Sequence, residues 1–144
     1  MDTSTSATQL LHCLIHETYM SFSIETIEKI IPLAWLTKVP KSPNYYAGLL
    51  LLGDRPVPII DLAFALKLNR EQAYTSNMTI LLLSYQHEYR GIIVDKLLDL
   101  TEDIIHVKPE PANPFCGTFK HRYGVTHVLS IAWIFSLPLV AEDE

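Results

Sequence analysis

The feature that most constrains the fold is a pair of short apolar runs, residues 49–52 and 57–60, separated by Gly-Asp-Arg-Pro at 53–56. Glycine and aspartate tolerate the positive φ angles of tight hairpin turns, so this stretch predicts two paired strands. Pro58, in the second run, has no N–H to donate. We therefore expect that position to face a sheet edge or a bulge.

Asp61 follows the second run and precedes a short apolar segment, residues 62–68. A carboxylate at that point can accept hydrogen bonds from the N–H groups of a first helical turn, so Asp61 is predicted to be a helix N-cap. Two further runs, 78–83 and 89–94, predict a second hairpin, in which Gly91 indicates a bulge or a close backbone approach. The number of short strands, with one or two short helices, predicts an all-β barrel or sandwich.

The length of 144 residues favours one domain, or two very small subdomains that share a core. We predict a flexible leader at residues 1–9, a single domain at 10–137 and an acidic tail at 138–144. A polar run at about 69–77 is expected to link the two halves of the domain.

Two segments are harder to assign. Residues 24–31 carry isoleucines at helical spacing but are also rich in β-branched residues, so helix and strand both stay open until Pro32 ends the segment. Residues 126–135 are predicted to form a final strand.

The N-terminal residues lack the basic and apolar regions of a signal peptide, which predicts a cytoplasmic protein. The two cysteines, Cys13 and Cys116, are single and far apart. Buried free thiols in a reducing compartment are the preferred interpretation, although one disulfide stays open.

The formal net charge of −5 argues against a general nucleic-acid binder, which normally presents a basic face. The charge is unevenly distributed. Residues 29–70 contain six basic and two acidic side chains, whereas residues 95–110 contain five acidic and two basic ones. One part of the domain is therefore expected to be locally positive and another negative.

No pattern for catalysis, metal binding or cofactor binding is evident. His12 and His16 are four residues apart but do not match the His-Glu-x-x-His spacing of zinc proteases, and there is no Cys-x-x-Cys pair. Asp61 and Asp95 are explained by capping and turn roles, and there is no nucleophile elbow. We therefore expect a protein that is not an enzyme and that works by contact, with no catalytic residues, no metal and no cofactor.

The spacing of Gly48, Pro58 and Asp61, followed by Gly91 and Asp95 in Gly-Ile-Ile-Val-Asp, resembles the signature of CheW-like domains. The resemblance runs over nearly the whole chain. It implies two small SH3-like five-stranded β-barrels packed against each other. It also implies a chemotaxis adaptor that couples the tip of a methyl-accepting chemoreceptor to the regulatory domain of a CheA-type histidine kinase, without membrane insertion and without nucleic acid.

The same resemblance implies where partners would bind. In CheW-like adaptors an apolar groove between the barrels receives the receptor tip, and the barrel ends contact the kinase. The resemblance transfers that role to these positions of this chain: Ile27, Lys29, Ile30, Arg55, Ile92 and Val94.

Two departures from the family pattern concern charge. Family members usually carry an Arg-Gly pair where this chain has Gly53 and Asp54, and a glutamate where it has Lys29. Arg55 or Glu28 could supply a shifted pair. The altered groove suggests a divergent adaptor, in a non-flagellar system such as the one that controls type IV pilus motility.

Three alternatives stay open from the sequence. The chain could bind the kinase without coupling it to a receptor. It could be a small-molecule-binding β-barrel, if a closed apolar pocket with convergent polar groups exists. A nucleic-acid-binding barrel is disfavoured by the charge and by the lack of a basic and aromatic stripe.

Overall fold

The computed structural model describes residues 5–68, 70–71, 73–106, 111–122 and 124–140. Within these ranges the chain forms ten strands, two short α-helices and a 3-10 turn at Ile24–Thr26. The strands and helices, in chain order, are β1 (Thr5–Ile15), β2 (Thr18–Ser23), β3 (Ile27–Pro32), β4 (Tyr46–Leu52), β5 (Arg55–Ile60), α1 (Leu62–Ala65), β6 (Thr79–Tyr85), β7 (Glu88–Val94), β8 (Lys96–His106), β9 (Phe115–His121), β10 (Gly124–Leu129) and α2 (Ile131–Ser136).

The strands form two five-stranded sheets. The terminal sheet has the order β8-β1-β2-β10-β9 and the central sheet has the order β3-β6-β7-β5-β4. The predicted all-β class with short helices is confirmed, as is the number of strands in each half. Within the described residues the two end strands of each order are not hydrogen-bonded to each other, so the predicted barrels are not closed.

The chain passes from the terminal to the central sheet at the 3-10 turn and returns at Asp95, between β7 and β8. The polar run at 69–77 therefore does not link the two halves, and this part of the prediction is wrong. It connects α1 to β6, and both neighbouring strands, β5 and β6, belong to the central sheet. Polarity marks a loop, but it does not reveal which sheet the next strand joins.

Three other boundaries differ from the predictions. The leader was expected to reach residue 9, but β1 begins at Thr5 and pairs with β8 through Thr5↔His106, because ladder hydrogen bonds need no apolar side chains. Residues 24–31 are neither one helix nor one strand, but a 3-10 turn followed by β3. The last strand ends at Leu129, where the Ser130 hydroxyl accepts a hydrogen bond from Trp133 N (3.3 Å) and caps α2.

The two sheets share one apolar core, called here the joint core. It contains buried side chains of β1 and β2 together with those of β5, β6 and β7. Arg90 of β7 donates hydrogen bonds to the carbonyls of Ile134 and Leu137, both at 2.9 Å, and so ties α2 to the central sheet. Cys13 lies in this core as a free thiol, and burial raises its pKa to about 12, so it packs as a small apolar residue. Cys116 is also free and is half-buried.

The central sheet has a second core on its other face. Val57, Ile59, Ile80, Leu82 and Ile93 are buried there, each at 5% exposure or less. Since successive side chains of a strand point to opposite faces, strands β5, β6 and β7 bury residues on both faces.

The other face of the terminal sheet is organised by hydrogen bonds. His12, which is 1% exposed, bonds through Nδ1 to Ser21 Oγ (2.6 Å) and through Nε2 to Thr101 Oγ1 (2.7 Å). Ser21 Oγ in turn bonds to Thr126 Oγ1 (2.5 Å), so the chain of side chains crosses β10, β2, β1 and β8. Phe119 stacks on the His12 ring with centroids 5.3 Å apart. A fully satisfied buried network of this kind fixes the register of the strands.

Candidate partner-binding surface

Two of the signature residues, Asp61 and Asp95, meet at one ion cluster around Arg70. Asp61 caps α1 by accepting from Ala63 N at 3.0 Å, as predicted. Its second oxygen accepts from Arg70 Nε (2.8 Å) and from the Tyr74 hydroxyl (2.7 Å). Arg70 also donates to both oxygens of Asp95, at 2.8 and 3.2 Å. One arginine therefore joins the end of β5 to the end of β7.

The charges in this cluster support one another. Burial alone would lower the pKa of Arg70, but the hydrogen bonds and charges of Asp95 and Asp61 raise it above its ordinary value. Burial and the charge of Asp61 likewise raise the pKa of Tyr74, which keeps its hydroxyl protonated as a donor. The Arg70 side chain is 2% exposed and that of Asp61 is fully buried, so the cluster serves the fold rather than a ligand.

The signature glycines are required by space. A Cβ on Gly48, where φ is +155°, would lie 2.7 Å from Leu36 Cβ and 3.0 Å from Thr37 O. A Cβ on Gly91 would overlap Ile59 Cδ1 and would lie 2.9 Å from Ile80 Cγ2. The expected close backbone approach at Gly91 is confirmed.

Pro58 also sits where its missing N–H costs nothing. It lies opposite Leu49, whose N–H and C=O both bond to Thr37 on the far side of β4. The parallel pairing of β5 with β7 begins only at Ile59. At Pro58 the strand therefore has a neighbour on one side alone, in agreement with the predicted edge position.

Arg55 and Glu28, the two residues considered for a shifted charge pair, lie at opposite ends of a row of four side chains that crosses the central sheet. The Ser84 hydroxyl donates to Glu28 Oε2 at 3.5 Å, and Ser84 is the cross-strand partner of Tyr89. The Arg55 guanidinium lies 4.6 Å from the centroid of the Tyr89 ring. Each charge thus contacts a neutral side chain, and the row connects edge strand β3 with β5.

Three of the predicted contact residues lie on β3, an edge strand of the central sheet. Ile27 is half-buried against the joint core, Lys29 is exposed, and Ile30 is 47% exposed. Ile27 and Ile30 pair with Leu83 and Leu81, both of which belong to the joint core. Because directly paired residues share a face of the sheet, Ile30 extends the joint core to the surface at the junction of the two sheets.

Ile92 and Val94 were predicted to line the same groove, and the structure contradicts this. Both side chains have 0% exposure and lie within the joint core. Their strand, β7, lies between β6 and β5 and is covered on both faces, so its apolar residues pack internally.

Two features of the structure were not predicted from the sequence. Arg70 was counted only as one of the basic residues, and no local pattern marks its pairing with carboxylates nine and 25 residues away. Trp35 was not selected, although it is 89% exposed in the loop between β3 and β4. The available signal was a tryptophan close before residues 38–43, which contain two prolines and were expected to form a loop.

The described part of the chain holds no group of three or more His, Cys, Asp or Glu side chains placed to bind a metal ion. None of its helices is both long and apolar enough to cross a bilayer. Both ring nitrogens of His12, which is 1% exposed, are already occupied by hydroxyl groups.

Comparisons with known proteins agree with this geometry. A family model described as the CheW-like domain matches residues 9–136. Among solved structures, the chain resembles the crystal structure of the scaffolding protein TtCheW from Thermoanaerobacter tengcongensis with a TM-score of 0.79. That match has 15% sequence identity and covers 95% of this chain and 93% of the other, so it establishes a shared fold. No curated protein sequence matches the chain.

Proposed function

This chain belongs to the CheW-like domain family, and from that premise we propose that it is a non-enzymatic adaptor that couples chemoreceptors to a CheA-type histidine kinase. In this proposal it acts in the cytoplasm, as a scaffold of a chemosensory signalling pathway. It binds the regulatory domain of the kinase and the tip of a methyl-accepting receptor at different faces. It uses no cofactor and contacts neither nucleic acid nor the membrane interior.

The observation that carries the proposal is the apolar edge of β3 at the junction of the two sheets. Ile30 is 47% exposed, although it pairs with fully buried Leu81. Ile27, on the same strand, is half-buried against the joint core. A modest apolar anchor with charged neighbours, here Glu28 and Lys29, suits the docking of a helical receptor tip.

The charges around this edge support a receptor preference that differs from the usual family pattern. Lys29 replaces the expected glutamate, and Gly53 replaces the arginine that would face it. The row from Glu28 through Ser84 and Tyr89 to Arg55 provides another arrangement of charge across the same sheet. We assign the chain to a non-flagellar system, such as that controlling type IV pilus motility, on the basis of this altered chemistry.

The coupling role is tested by recruitment to vesicles. The cytoplasmic fragment of a chemoreceptor from the same cell is attached to lipid vesicles, the kinase is added, and sedimentation is measured with and without this chain. The expected result is that the kinase sediments with receptor vesicles only when the chain is present.

Two variants locate the receptor contact. Ile30→Asp is expected to abolish recruitment while leaving binding of the isolated kinase regulatory domain unchanged. Val125→Asp is the matched control, because Val125 is a similarly exposed apolar residue (56%) on β10 of the other sheet. Equal recruitment by the two variants would contradict the placement of the receptor at β3.

The same experiment separates the alternative in which the chain binds the kinase without coupling it to a receptor. In that case calorimetry detects the complex with the kinase regulatory domain, but no kinase reaches the vesicles. The exposed Ile30 favours the coupling role, since an apolar side chain at an edge strand has no structural need to face solvent.

A further inference from the structure

The terminal sheet is curled, so that one of its edge strands covers a buried histidine. In the sheet order, β2 and β10 lie between β1 and the edge strand β9. Even so, two rings of β9 lie on the His12 ring of β1: the centroid of Phe119 is 5.3 Å away and that of His121 is 4.4 Å away. Phe119 and His121 are two residues apart, so they point to the same face of β9. Strand β9 therefore covers His12 from the inside of the curl.

The gap between the two edge strands, β8 and β9, is called here the seam. Among the described residues no backbone ladder joins these strands, but side chains do. Asp99 Oδ2 of β8 lies 3.4 Å from His121 Nε2, at the end of β9, and 3.3 Å from Arg122 Nη2. The side chain of His121 is 5% exposed and that of Arg122 is 71% exposed, so the imidazole makes the inner contact. The carboxylate of Asp99 thus holds the end of β9 against β8.

The surroundings of His12 favour its uncharged ring. Both ring nitrogens bond to hydroxyl groups rather than to a carboxylate, and the small space beside the ring has no room for a water molecule. Burial, and then the charge of His121, lower the pKa of His12, whereas Asp99 raises it by a smaller amount. The titratable groups around this space are Tyr19 of β2, Asp99 of β8 and His121 of β9, while β10 contributes Thr126.

We infer that β9 is a proton-sensitive flap over His12: the closed seam excludes the charged form of this ring, and protonation of His12 favours a form in which β9 has lifted away from β8. In the lifted form Phe119 and His121 no longer cover the ring, so water can solvate the imidazolium. The surface that the terminal sheet presents therefore differs between neutral and mildly acidic pH. This device concerns the terminal sheet alone and does not depend on the proposed function.

Hydrogen exchange of the β9 amides measures the lifted population, once each rate is divided by the intrinsic exchange rate at the same pH. A histidine that binds its proton only in the lifted form, with an ordinary pKa of about 6.5 there, favours lifting about tenfold more at pH 5.5 than at pH 7.5. We expect the corrected exchange of β9 to accelerate by that factor. Because lifting exposes little surface, β9 should exchange faster than β6 of the central sheet and should respond less to dilute urea.

Three variants separate the groups involved. His12→Gln can bond to the same two hydroxyl groups without titrating, so it should remove the acceleration at pH 5.5. His127→Gln is the matched control and should keep it, because the half-buried His127 of β10 lies on the Phe115 ring, 5.0 Å away, rather than on His12. Asp99→Asn removes the carboxylate at the seam and should increase lifting about two- to fivefold at pH 7.5 itself.

Acceleration of β9 that is lost in His12→Gln and kept in His127→Gln supports the flap. Equal corrected exchange of wild-type β9 at the two pH values overturns it, and so does equal acceleration in wild type and His12→Gln, because another group is then responsible. Exchange of β9 at the same corrected rate and with the same urea dependence as β6 overturns it as well, since the domain then unfolds as one unit. Unchanged lifting in Asp99→Asn at pH 7.5 overturns the contact across the seam.

Discussion

Removal of Arg70 is expected to destabilise this protein strongly, because one guanidinium holds two carboxylates at the ends of β5 and β7. The Arg70→Ala variant loses a hydrogen bond to Asp61 at 2.8 Å and two to Asp95 at 2.8 and 3.2 Å. Breaking a buried ion pair by removing one partner costs about 3–5 kcal/mol.

The position of each carboxylate refines that figure. The side chain of Asp95 is 23% exposed, so water can replace part of the hydrogen bonding that Arg70 supplied. Asp61 is fully buried but keeps the N–H of Ala63 and the hydroxyl of Tyr74. We therefore expect Arg70→Ala to lower the free energy of unfolding by about 3 to 4 kcal/mol, a large part of the roughly 5–15 kcal/mol of a typical domain.

The assay is urea denaturation at pH 7.5, with the midpoint and slope measured for each variant. Arg70→Lys should fall between wild type and Arg70→Ala, because an ammonium cannot donate to both carboxylates in the fork geometry of a guanidinium. Arg122→Ala is the matched control. Its side chain is 71% exposed at 3.3 Å from Asp99, and its loss should cost at most about 1 kcal/mol. A loss of under about 1 kcal/mol for Arg70→Ala would refute the assigned role of the cluster.

Three further predictions concern the backbone and pH. His87→Gly should raise the free energy of unfolding by about 0.5–1 kcal/mol, seen as a higher melting temperature, because His87 has a φ of +69° in a two-residue hairpin turn that favours glycine. Gly48→Ala should lower the melting temperature, because the new methyl group would lie 2.7 Å from Leu36 Cβ, whereas Gly53→Ala, in open space, should cost less. Burial, and then the charge of His121, lower the pKa of His12. The free energy of unfolding should therefore reach its full value above a pH of about 6.5 and should decrease as the pH drops below it, because the folded state disfavours the protonated His12. Melting temperatures from pH 7.5 to 5.5 should fall more for wild type than for His12→Gln, and parallel curves would contradict this role of His12.

The features that could be predicted from the sequence are those set by neighbouring residues. The hairpin around Gly53, the cap at Asp61 and the tight approach at Gly91 each depend on the shape or hydrogen bonding of one short segment. The structure has all three. The identity of the family followed from the same short motifs.

The features that could not be predicted depend on contacts between distant segments. The partners of Arg70 are known only once β5 and β7 are adjacent in the central sheet. Ile92 and Val94 are apolar whether they face a groove or a core, and only the second sheet packed on β7 shows that they are buried. Similarly, Ser130 ends the last strand because its hydroxyl caps α2, although the apolar residues around it are also compatible with a strand.

The most direct test of the central claim is calorimetric titration of this chain with the regulatory domain of a CheA-type kinase from the same cell. We expect a one-to-one complex with micromolar or tighter affinity that weakens as salt increases. Absence of binding to every such domain of that cell would contradict the proposed adaptor role and would leave only the fold and the family.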